Sequence, residues 1–433
     1  MFTQQPNASY ASAGTITVKV SVENALNAVM TSDTSAITLA LQGGTAGATL
    51  SGTKTVNAVA GVATFTLSLD KAGTGYSLHA TDGNLTVADS SAFNITAGAA
   101  QTVTFTTQPA SNSNIAAGVA IPLVAHVADA AGNAVSGQSI TLGFGNNPGS
   151  SALSVGTNPV TSNASGDATF NSLSLNKSGV GYTLRATDGT TPSATAALSN
   201  AFNIVAAAPL SIVFTTQPAS GSNITAGATI ALAAQVKDGF GNAIAGDNVT
   251  LAFATNPGGA TLMVSTNPVA TNSSGIATFN NVSLGKAGSG YALKATEANA
   301  LRNIVGNAFN IVAGIPAQLV FTTQPTNVTP GSTLNTIAVS EEDALGNIVT
   351  SDSSSNVGFS VSACGGVALG NAVMSNGVAT LSAAQVFNAL RAGLAVSAND
   401  AALSINGVSQ TFNVDDVSPS DLLFGDGYET CAL

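Results

Sequence analysis

Charged side chains are scarce in this chain. Only 7% of its 433 residues are Asp, Glu, Lys or Arg, compared with roughly 25% in an average soluble chain. The 21 acidic residues outnumber the 10 basic ones, which gives a formal net charge of −11. An acidic chain with no basic run is poorly suited to follow the phosphates of a nucleic acid. We therefore expect no nucleic-acid partner.

Long apolar runs are also missing. Hydrophobic residues make up 45% of the chain, yet no stretch approaches the ~18–20 apolar residues of a membrane-spanning helix. No segment keeps the 3.6-residue period of an amphipathic helix. Tryptophan is absent and aromatic residues total 5%, so the chain has few of the anchors that dominate binding interfaces. We expect an all-β chain without a membrane span.

Cysteine and histidine are nearly absent. The only cysteines are Cys364 and Cys431, and a chain this poor in thiols is compatible with an oxidising compartment. The two histidines are His79, which we assign to the solvated face of a strand, and His126. No Cys, Asp or Glu stands at ligand spacing from His126, and no repeated carboxylate orients a histidine as a Ser-His-Asp triad requires. We expect no enzyme and no cofactor.

We expect no secretion signal directly after Met1, because the charged and apolar regions of a signal peptide are both lacking there. We interpret the chain as a piece of a longer protein, natural or engineered, or as a sequence whose start is wrongly assigned, and we expect further repeats upstream of it.

One motif is written four times along the chain. Phe-Thr-Thr-Gln-Pro stands at 105–109, 214–218 and 321–325, and Phe-Thr-Gln-Gln-Pro opens the chain at 2–6. The spacings are 105 − 2 = 103, 214 − 105 = 109 and 321 − 214 = 107 residues. Such a period indicates a tandem array of small domains. The predicted boundaries are 1–98, 99–207, 208–314 and 315–416, followed by a C-terminal tail at 417–433.

Each repeat has the pattern of a β-sandwich. The second contains about seven short alternating segments, and turn residues separate them every ~8–12 residues. Gly-Tyr-x-Leu places a tyrosine two residues before a leucine, as in the tyrosine corner of immunoglobulin-type sandwiches. The predicted corner residues are Tyr76, Tyr182 and Tyr291, and the fourth repeat has Leu394 instead.

The order of motifs resembles a known family. Asp-x-x-Gly-Asn begins at Asp129, Asp238 and Asp343, while the first repeat offers Glu23-Asn-Ala-Leu-Asn27. It is followed by Gly-x-Ala-Thr-Phe and then by Gly-Tyr-x-Leu. This order is similar to that of bacterial immunoglobulin-like repeats of the invasin and intimin type, over residues 1 to about 416. The resemblance implies four tandem immunoglobulin-like domains with a short C-terminal tail, in a secreted or cell-surface protein.

Two functions remain open from the sequence. The first is a non-catalytic, adhesin-type stalk that projects or spaces a binding function from a bacterial cell surface. The second is a binding module, in which loops at one end of a domain recognise a glycan or a protein of a host or neighbouring cell. Loops with aromatic or arginine anchors would favour the second.

The aspartates of the repeated turn also have two interpretations. Asp129, Asp238 and Asp343, with Asp82 and Asp188 in another loop, could supply oxygen ligands to calcium between domains. Alternatively, Asp-x-x-Gly-Asn is a turn whose side chains bond their own backbone. We favour the turn, because no Asp-x-Asp-x-Asp cluster is present.

A disulfide between Cys364 and Cys431 is predicted. A 17-residue tail that carries Leu422, Leu423, Phe424 and Tyr428 has little reason to stay ordered unless it is tied down. The alternatives are two free thiols, or a bond from Cys431 to another chain.

Overall fold

The computed structural model describes residues 1–83, 85–299, 301–361, 367–382, 386–387 and 391–415. These residues form strands, turns and bends, with no helix among them, so the all-β prediction is confirmed. None of the described residues therefore belongs to a helix long and apolar enough to cross a membrane. Cys364, Cys431 and the tail at 417–433 lie outside the described residues.

Strands of two to ten residues account for the fold, and they fall into four sandwiches. The first contains β1 (Phe2–Gln4), β2 (Ser9–Ala11), β3 (Ile16–Ser21), β4 (Ala36–Gly43), β5 (Leu50–Gly52), β6 (Thr55–Asn57), β7 (Val62–Leu69), β8 (Gly73–Thr81), β9 (Ala88–Asp89, two residues) and β10 (Phe93–Thr96). The second contains β11 (Ala100–Thr107), β12 (Asn114–Ala116), β13 (Leu123–Asp129), β14 (Ser139–Asn146), β15 (Leu153–Ser154), β16 (Val160–Thr161), β17 (Asp167–Phe170), β18 (Ser174–Leu175), β19 (Gly179–Asp188), β20 (Ala197–Leu198) and β21 (Phe202–Val205).

The third and fourth sandwiches follow the same plan. The third contains β22 (Pro209–Thr216), β23 (Asn223–Thr225), β24 (Ile230–Asp238), β25 (Asn248–Thr255), β26 (Leu262–Met263), β27 (Val269–Ala270), β28 (Ile276–Leu284), β29 (Gly288–Thr296), β30 (Asn303–Val305) and β31 (Phe309–Val312). The fourth contains β32 (Pro316–Thr323), β33 (Ser332–Thr333), β34 (Ile337–Asp343), β35 (Asn356–Val361), β36 (Val367–Val373), β37 (Val378–Leu381), β38 (Val386–Phe387), β39 (Arg391–Leu394), β40 (Val396–Asp400), β41 (Ile405–Val408) and β42 (Phe412–Val414).

The strand order is that of an immunoglobulin-like sandwich. In the second sandwich one sheet runs β11-β13-β17, and the facing sheet runs β12-β21-β19-β14-β16. The chain changes sheets after β11, because β12 pairs in parallel with β21. The same parallel pairing joins β2 to β10 and β23 to β31.

Each sandwich encloses its own core, because side chains that alternate along the strands point inward from both sheets. The largest buried side chains of the first three cores are the corner tyrosines, each stacked or tilted against the phenylalanine of the Phe-Asn-Ile strand at ring-centroid distances of 6.0–6.2 Å. The fourth core uses Phe321 against Phe359, at 6.5 Å.

The repeated motifs bond to one another within each sandwich. The glutamine of Phe-Thr-Thr-Gln-Pro accepts a hydrogen bond from a backbone N–H two residues before the Phe-Asn-Ile or Phe-Asn-Val strand. The pairs are Gln5 with Ser91, Gln108 with Asn200, Gln217 with Asn307 and Gln324 with Gln410, at 2.7–2.9 Å. This bond ties the first strand to the last, which explains why the motif recurs once per repeat.

The chain divides into two compact units of two sandwiches each. The first unit is Met1–Ala207 with Phe240–Asn242, and the second is Ala208–Gly239 with Ala243–Leu433. Within each unit, consecutive sandwiches meet at a junction that the repeated Asp-x-x-Gly-Asn turn helps to form.

Candidate functional site

The three corner tyrosines share one geometry. Each ring is fully buried, and each hydroxyl donates to the carbonyl five residues earlier. The pairs are Tyr76 with Lys71 at 2.9 Å, Tyr182 with Lys177 at 2.7 Å and Tyr291 with Lys286 at 2.7 Å. The hydroxyl therefore fixes the loop that leads into the strand of its own tyrosine, without any disulfide.

The Asp-x-x-Gly-Asn turn is organised by its aspartate. Oδ1 of Asp129 accepts hydrogen bonds from the backbone N–H groups of Ala131 at 2.9 Å and Asn133 at 2.8 Å. Gly132 has a φ of 78°, a conformation that favours glycine because a Cβ is disfavoured there. The sequence thus encodes a tight turn at the end of β13, and the turn projects the Asn133 side chain away from its own backbone.

Asn133 reaches across the junction to the first sandwich. Its Oδ1 accepts a hydrogen bond from the N–H of Ala72 at 2.9 Å, and its Nδ2 donates to the carbonyl of Asp70 at 2.7 Å. The amide group uses donor and acceptor together, so an aspartate or leucine at this position could not make both bonds. We call this pairing of the turn with the preceding sandwich the junction clasp.

Asp129 completes the clasp with its second oxygen. Oδ2 accepts hydrogen bonds from the N–H of Gly98 at 2.8 Å, the hydroxyl of Ser12 at 2.6 Å and Nδ2 of Asn133 at 2.9 Å. Burial acts to raise the pKa of Asp129, but these hydrogen bonds outweigh it and hold the pKa at about 2. The carboxylate is therefore charged at neutral pH and holds both sandwiches through N–H and O–H donors.

The same clasp joins the third and fourth sandwiches. Oδ2 of Asp343 accepts a bond from the N–H of Gly314 at 2.8 Å, and Oδ1 accepts from the N–H of Asn347 at 2.9 Å. Asn347 accepts from the N–H of Ala287 at 2.8 Å and donates to the carbonyl of Gly285 at 2.9 Å. The hydrogen bonds of Asn347 to its own aspartate lower the pKa of Asp343 despite its burial.

The first sandwich has the turn without the clasp. Oδ1 of Asn24 accepts bonds from the N–H groups of Leu26 at 2.9 Å and Ala28 at 3.0 Å, so Asn24 rather than Glu23 occupies the aspartate position. Ala28 stands where the clasp asparagine would be. Asp238 of the third sandwich is buried and belongs to a turn of the same sequence.

The hydrogen-bond donors around the turn aspartates favour the interpretation of a turn over that of a calcium site. The oxygens of Asp129 and Asp343 face hydrogen-bond donors, which a cation would have to displace. Across the part of the chain that the structure describes, no group of three or more His, Cys, Asp or Glu side chains is placed to hold a metal ion. Oδ1 of Asp188 accepts from the N–H of Thr190 at 2.8 Å, and Asp82 accepts from the hydroxyl of Ser35.

Both histidines lie beside a carboxylate, which the sequence analysis missed. Nδ1 of His79 is 2.6 Å from Asp89, and Nδ1 of His126 is 2.8 Å from Asp167. The partners stand on the neighbouring strand, because β8 pairs with β9 and β13 with β17. Strand register, not local spacing, brings each pair together, so no motif in the sequence could have revealed them.

The clasp asparagine was the other residue that sequence reasoning missed. Asp-x-x-Gly-Asn was recognised as a turn, but the contacts of the Asn133 side chain depend on how the preceding sandwich is placed. The recurrence of an asparagine at the fifth position was the available signal, because a turn alone does not require that residue after its glycine.

Comparison with known proteins finds likeness of structure alone. No protein-family model and no curated protein matches the chain. Among solved structures, the chain is similar to the Escherichia coli adhesin FdeC, with 19% identity over 72% of this chain and 98% of that chain, at a TM-score of 0.37. An I-band fragment of titin is 12% identical over 73% and 98%, at 0.36. A segment of intimin is 17% identical over 48% and 99%, at 0.28.

The fold is shown by the strand order of the sandwiches and by the parallel pairing of the second strand with the last, which joins β2 to β10, β12 to β21 and β23 to β31. The chain is a tandem array of immunoglobulin-like β-sandwiches, as the repeated motifs predicted.

Proposed function

We propose that the chain is a non-catalytic, extracellular stalk of tandem immunoglobulin-like domains, divided at 1–98, 99–207, 208–314 and 315–416. In this role it projects or spaces a binding function from a bacterial cell surface. The junction clasp is the observation that carries the proposal. A spacer must hold each domain in a fixed position relative to the next, and a flexible linker between the domains would not do so.

The clasp suits that role because of where its bonds are made. Asn133 and Asp129 are buried at the junction, with 8% and 4% exposure, so water competes poorly for their hydrogen bonds. Four bonds cross from these two residues to the first sandwich, to Asp70, Ala72, Gly98 and Ser12. At a net contribution of about 1 kcal/mol for each bond, the clasp resists bending of one sandwich against the next.

The low-charge surface fits a stalk as well. With 7% charged residues, the exposed faces are covered mainly by small polar side chains. Such a surface is hydrated but presents few of the anchors on which tight binding depends. In this function the sandwiches serve as spacers and do not themselves bind the adhesive partner.

Single-molecule force extension of the full chain tests the stalk. Tethered at both ends, the chain should unfold one sandwich at a time. Each event should add roughly 300 Å of contour length, because about a hundred residues extend to ~3.4 Å each and one folded sandwich is lost. Extension without separate force peaks would contradict a role in carrying force.

A second candidate function is supported by the first sandwich. A cavity of about 750 Å³ opens at the end of this sandwich and is lined by Phe2, Glu23, Asp82, Leu85 and Asp89 among others. Three apolar residues that line it, Met1, Leu85 and Val87, are 61%, 51% and 50% exposed, and exposed apolar residues grouped beside polar ones mark interaction surfaces. In this candidate, the first sandwich recognises a glycan or a surface protein.

Glycan-array binding by the full chain separates the two candidates. A stalk should bind no glycan above background. Specific binding that is lost in Leu85→Ser, and kept in Leu198→Ser of the second sandwich, would favour recognition by the first sandwich. Leu198 is a suitable control because it is also strongly exposed.

A further inference from the structure

A glutamate takes the place of a core valine in the fourth sandwich. Glu341 stands two residues before the turn aspartate Asp343, and the same position holds Val127 and Val236 in the second and third sandwiches. Both valines and Glu341 have 0% exposure. A charged carboxylate at a fully buried position is costly unless a partner compensates it.

Glu341 has no hydrogen-bond donor as a partner. Neither of its carboxyl oxygens receives a hydrogen bond from any described N–H or O–H group. Its neighbours are acids instead. The carboxyl of Asp352 lies within hydrogen-bonding reach, and the charges of Asp352 and Asp400 both act on Glu341.

The two neighbouring acids are anchored by one oxygen each. Oδ1 of Asp352 accepts bonds from the N–H groups of Ser354 at 2.9 Å and Ser355 at 3.1 Å. Oδ1 of Asp400 accepts from the N–H of Ala402 at 2.9 Å. The Oδ2 atoms of both residues are buried without a described donor.

The groups that act on the pKa of Glu341 are acids. The causes of its shift are burial, the hydrogen bond and charge of Asp352, and the charge of Asp400, with no cation among them. Arg391 is the one Lys, Arg or His residue between positions 315 and 416, so this part of the chain offers few positive charges to offset buried carboxylates.

Two facing carboxyl groups can bond to each other only when one of them holds a proton. Burial, followed by the proximity of Asp352, raises the pKa of Glu341 to about 7. Burial also acts to raise the pKa of Asp352, but hydrogen bonds from Ser355 and Ser354 outweigh it and hold this pKa at about 2. The proton therefore resides on Glu341.

We propose that Glu341 and Asp352 share one proton, and that this proton makes the fourth sandwich a pH-sensitive element of the chain. The two residues flank the turn that carries the clasp residue Asn347. The N–H of Val349 donates to the carbonyl of Glu341 at 2.9 Å, and the N–H of Asp352 donates to the carbonyl of Val349 at 3.0 Å. Loss of the proton places facing negative charges at the base of this turn, which loosens the clasp on the third sandwich.

The direction of the effect follows from the raised pKa. The ordinary value is 4.5 and the folded value is about 7. The stability that protonated Glu341 contributes is complete below pH ~4.5 and is lost once the pH has passed ~7. Between these values the ratio of folded to unfolded sandwich falls about tenfold per pH unit. Over these roughly 2.5 pH units the ratio of folded to unfolded fourth sandwich should fall about 300-fold.

Carboxyl carbon NMR on the full chain tests the shared proton directly. The chain contains five glutamates, Glu23, Glu297, Glu341, Glu342 and Glu429, so selective ¹³C-Glu labelling gives few signals. The signal that disappears in Glu341→Gln belongs to Glu341, and we expect it to titrate near pH 7. A titration near pH 4.5 would overturn the proposal.

Calorimetric unfolding of the full chain at pH 5.5 and 8 tests the consequence. One transition of the wild type should weaken at pH 8, and the weakening should vanish in Glu341→Gln and Glu341→Val. Glu342→Gln, on the neighbouring position of the same strand, is the control and should behave as the wild type. An unchanged wild-type transition, or one that weakens equally in Glu341→Gln, would overturn the proposal.

A third experiment with calcium distinguishes a shared proton from a bound divalent cation. Millimolar calcium chloride at pH 8 should leave the Glu341 signal and the transition unchanged. If calcium shifts the Glu341 signal and restores the transition as protonation does, the three acids hold a divalent cation and the shared proton is not their function.

Discussion

The hydroxyl of Tyr76 and the side chain of Asn133 bind three consecutive residues of one loop from two different sandwiches. Tyr76 donates to the carbonyl of Lys71, while Asn133 bonds the carbonyl of Asp70 and the N–H of Ala72. The third and fourth sandwiches repeat this relationship, with Tyr291 and Asn347 on the loop 285–287. The tyrosine corner therefore shapes the surface that the next sandwich binds.

Removal of the clasp amide should loosen the first junction. Asn133→Ala deletes the acceptor of the Ala72 N–H and the donor to Asp70. Two bonds of about 1 kcal/mol each predict that the Ala72 amide exchanges with solvent roughly 5–30 times faster. Hydrogen exchange of the full chain, read by mass spectrometry on peptides that span residue 72, measures this change.

Asn163→Ala is the matched control for that experiment. Asn163 also organises a turn, since its Oδ1 accepts from Ser165 at 2.9 Å and Asp167 at 3.0 Å, but these bonds stay within the second sandwich. Exchange near Ala72 should stay at the wild-type rate in this variant. Equal acceleration in both variants would show that Asn133 acts through the stability of its own sandwich and that the clasp is not a junction device.

The corner tyrosine of the second sandwich should contribute measurably to stability. Tyr182→Phe removes the bond to Lys177 and should lower the free energy of unfolding by about 1 kcal/mol. Tyr182→Ala also empties a fully buried site and should cost roughly 3–5 kcal/mol. Urea unfolding of the two variants measures both effects. Val180→Ala, at a strongly exposed position of the same strand, should change little, and three indistinguishable curves would contradict the role of the ring.

The sequence predicts most of the fold because the repeat restates each local signal four times. Phe-Thr-Thr-Gln-Pro, Gly-Tyr-x-Leu and Phe-Asn-Ile mark strands whose residues bond to one another within one sandwich. The asparagine of Phe-Asn-Ile accepts from the glycine N–H before the tyrosine, as Asn94 does from Gly75 and Asn203 from Gly181, both at 3.1 Å. Such contacts are internal to the repeat and follow from its period.

Contacts between repeats could not be predicted in the same way. The clasp depends on the placement of one sandwich against the next, which no period in the sequence specifies. Glu341 was missed although the repeat aligns it with Val127 and Val236, because its proximity to Asp352 and Asp400 is visible only in the folded chain. The assignment of Glu23 to the first turn was wrong by one residue, since the β-bridge between Glu23 and Val29 places Asn24 at the aspartate position.

The pairing of Cys364 with Cys431 remains a prediction from the sequence. The closed loop of 431 − 364 = 67 residues would contribute roughly 4 kcal/mol in the chain-entropy model. The fourth sandwich lacks the corner tyrosine, so a covalent bond would compensate where the repeat is weakest. Peptide mapping without reductant, on protein exported to an oxidising compartment, should find the two cysteines joined. Free thiols at both positions, or a disulfide-linked dimer, would contradict the pairing.

Acid should weaken the first junction, whereas pH changes near neutrality should not affect the contribution of Asp129 to it. The pKa of Asp129 is held at about 2 by its hydrogen bonds, against an ordinary 3.8. A lowered pKa means that the carboxylate contributes stability above pH ~4, and that this stability is lost as the pH falls towards 2. The loss is at most about 2.5 kcal/mol, because each tenfold change in proton affinity corresponds to roughly 1.4 kcal/mol.

Unfolding of the full chain at pH 6, 4 and 2.5 measures this contribution. The wild type should lose stability in the first unit between pH 4 and 2.5, whereas Asp129→Asn should be weaker at pH 6 and change less on acidification. Asp415→Asn removes a carboxylate near the end of the fourth sandwich and should leave the acid response of the first unit as in the wild type. If acid lowers the stability of the first unit equally in Asp129→Asn and in the wild type, the negative charge of Asp129 does not stabilise the junction through its bonds from Gly98 and Ser12.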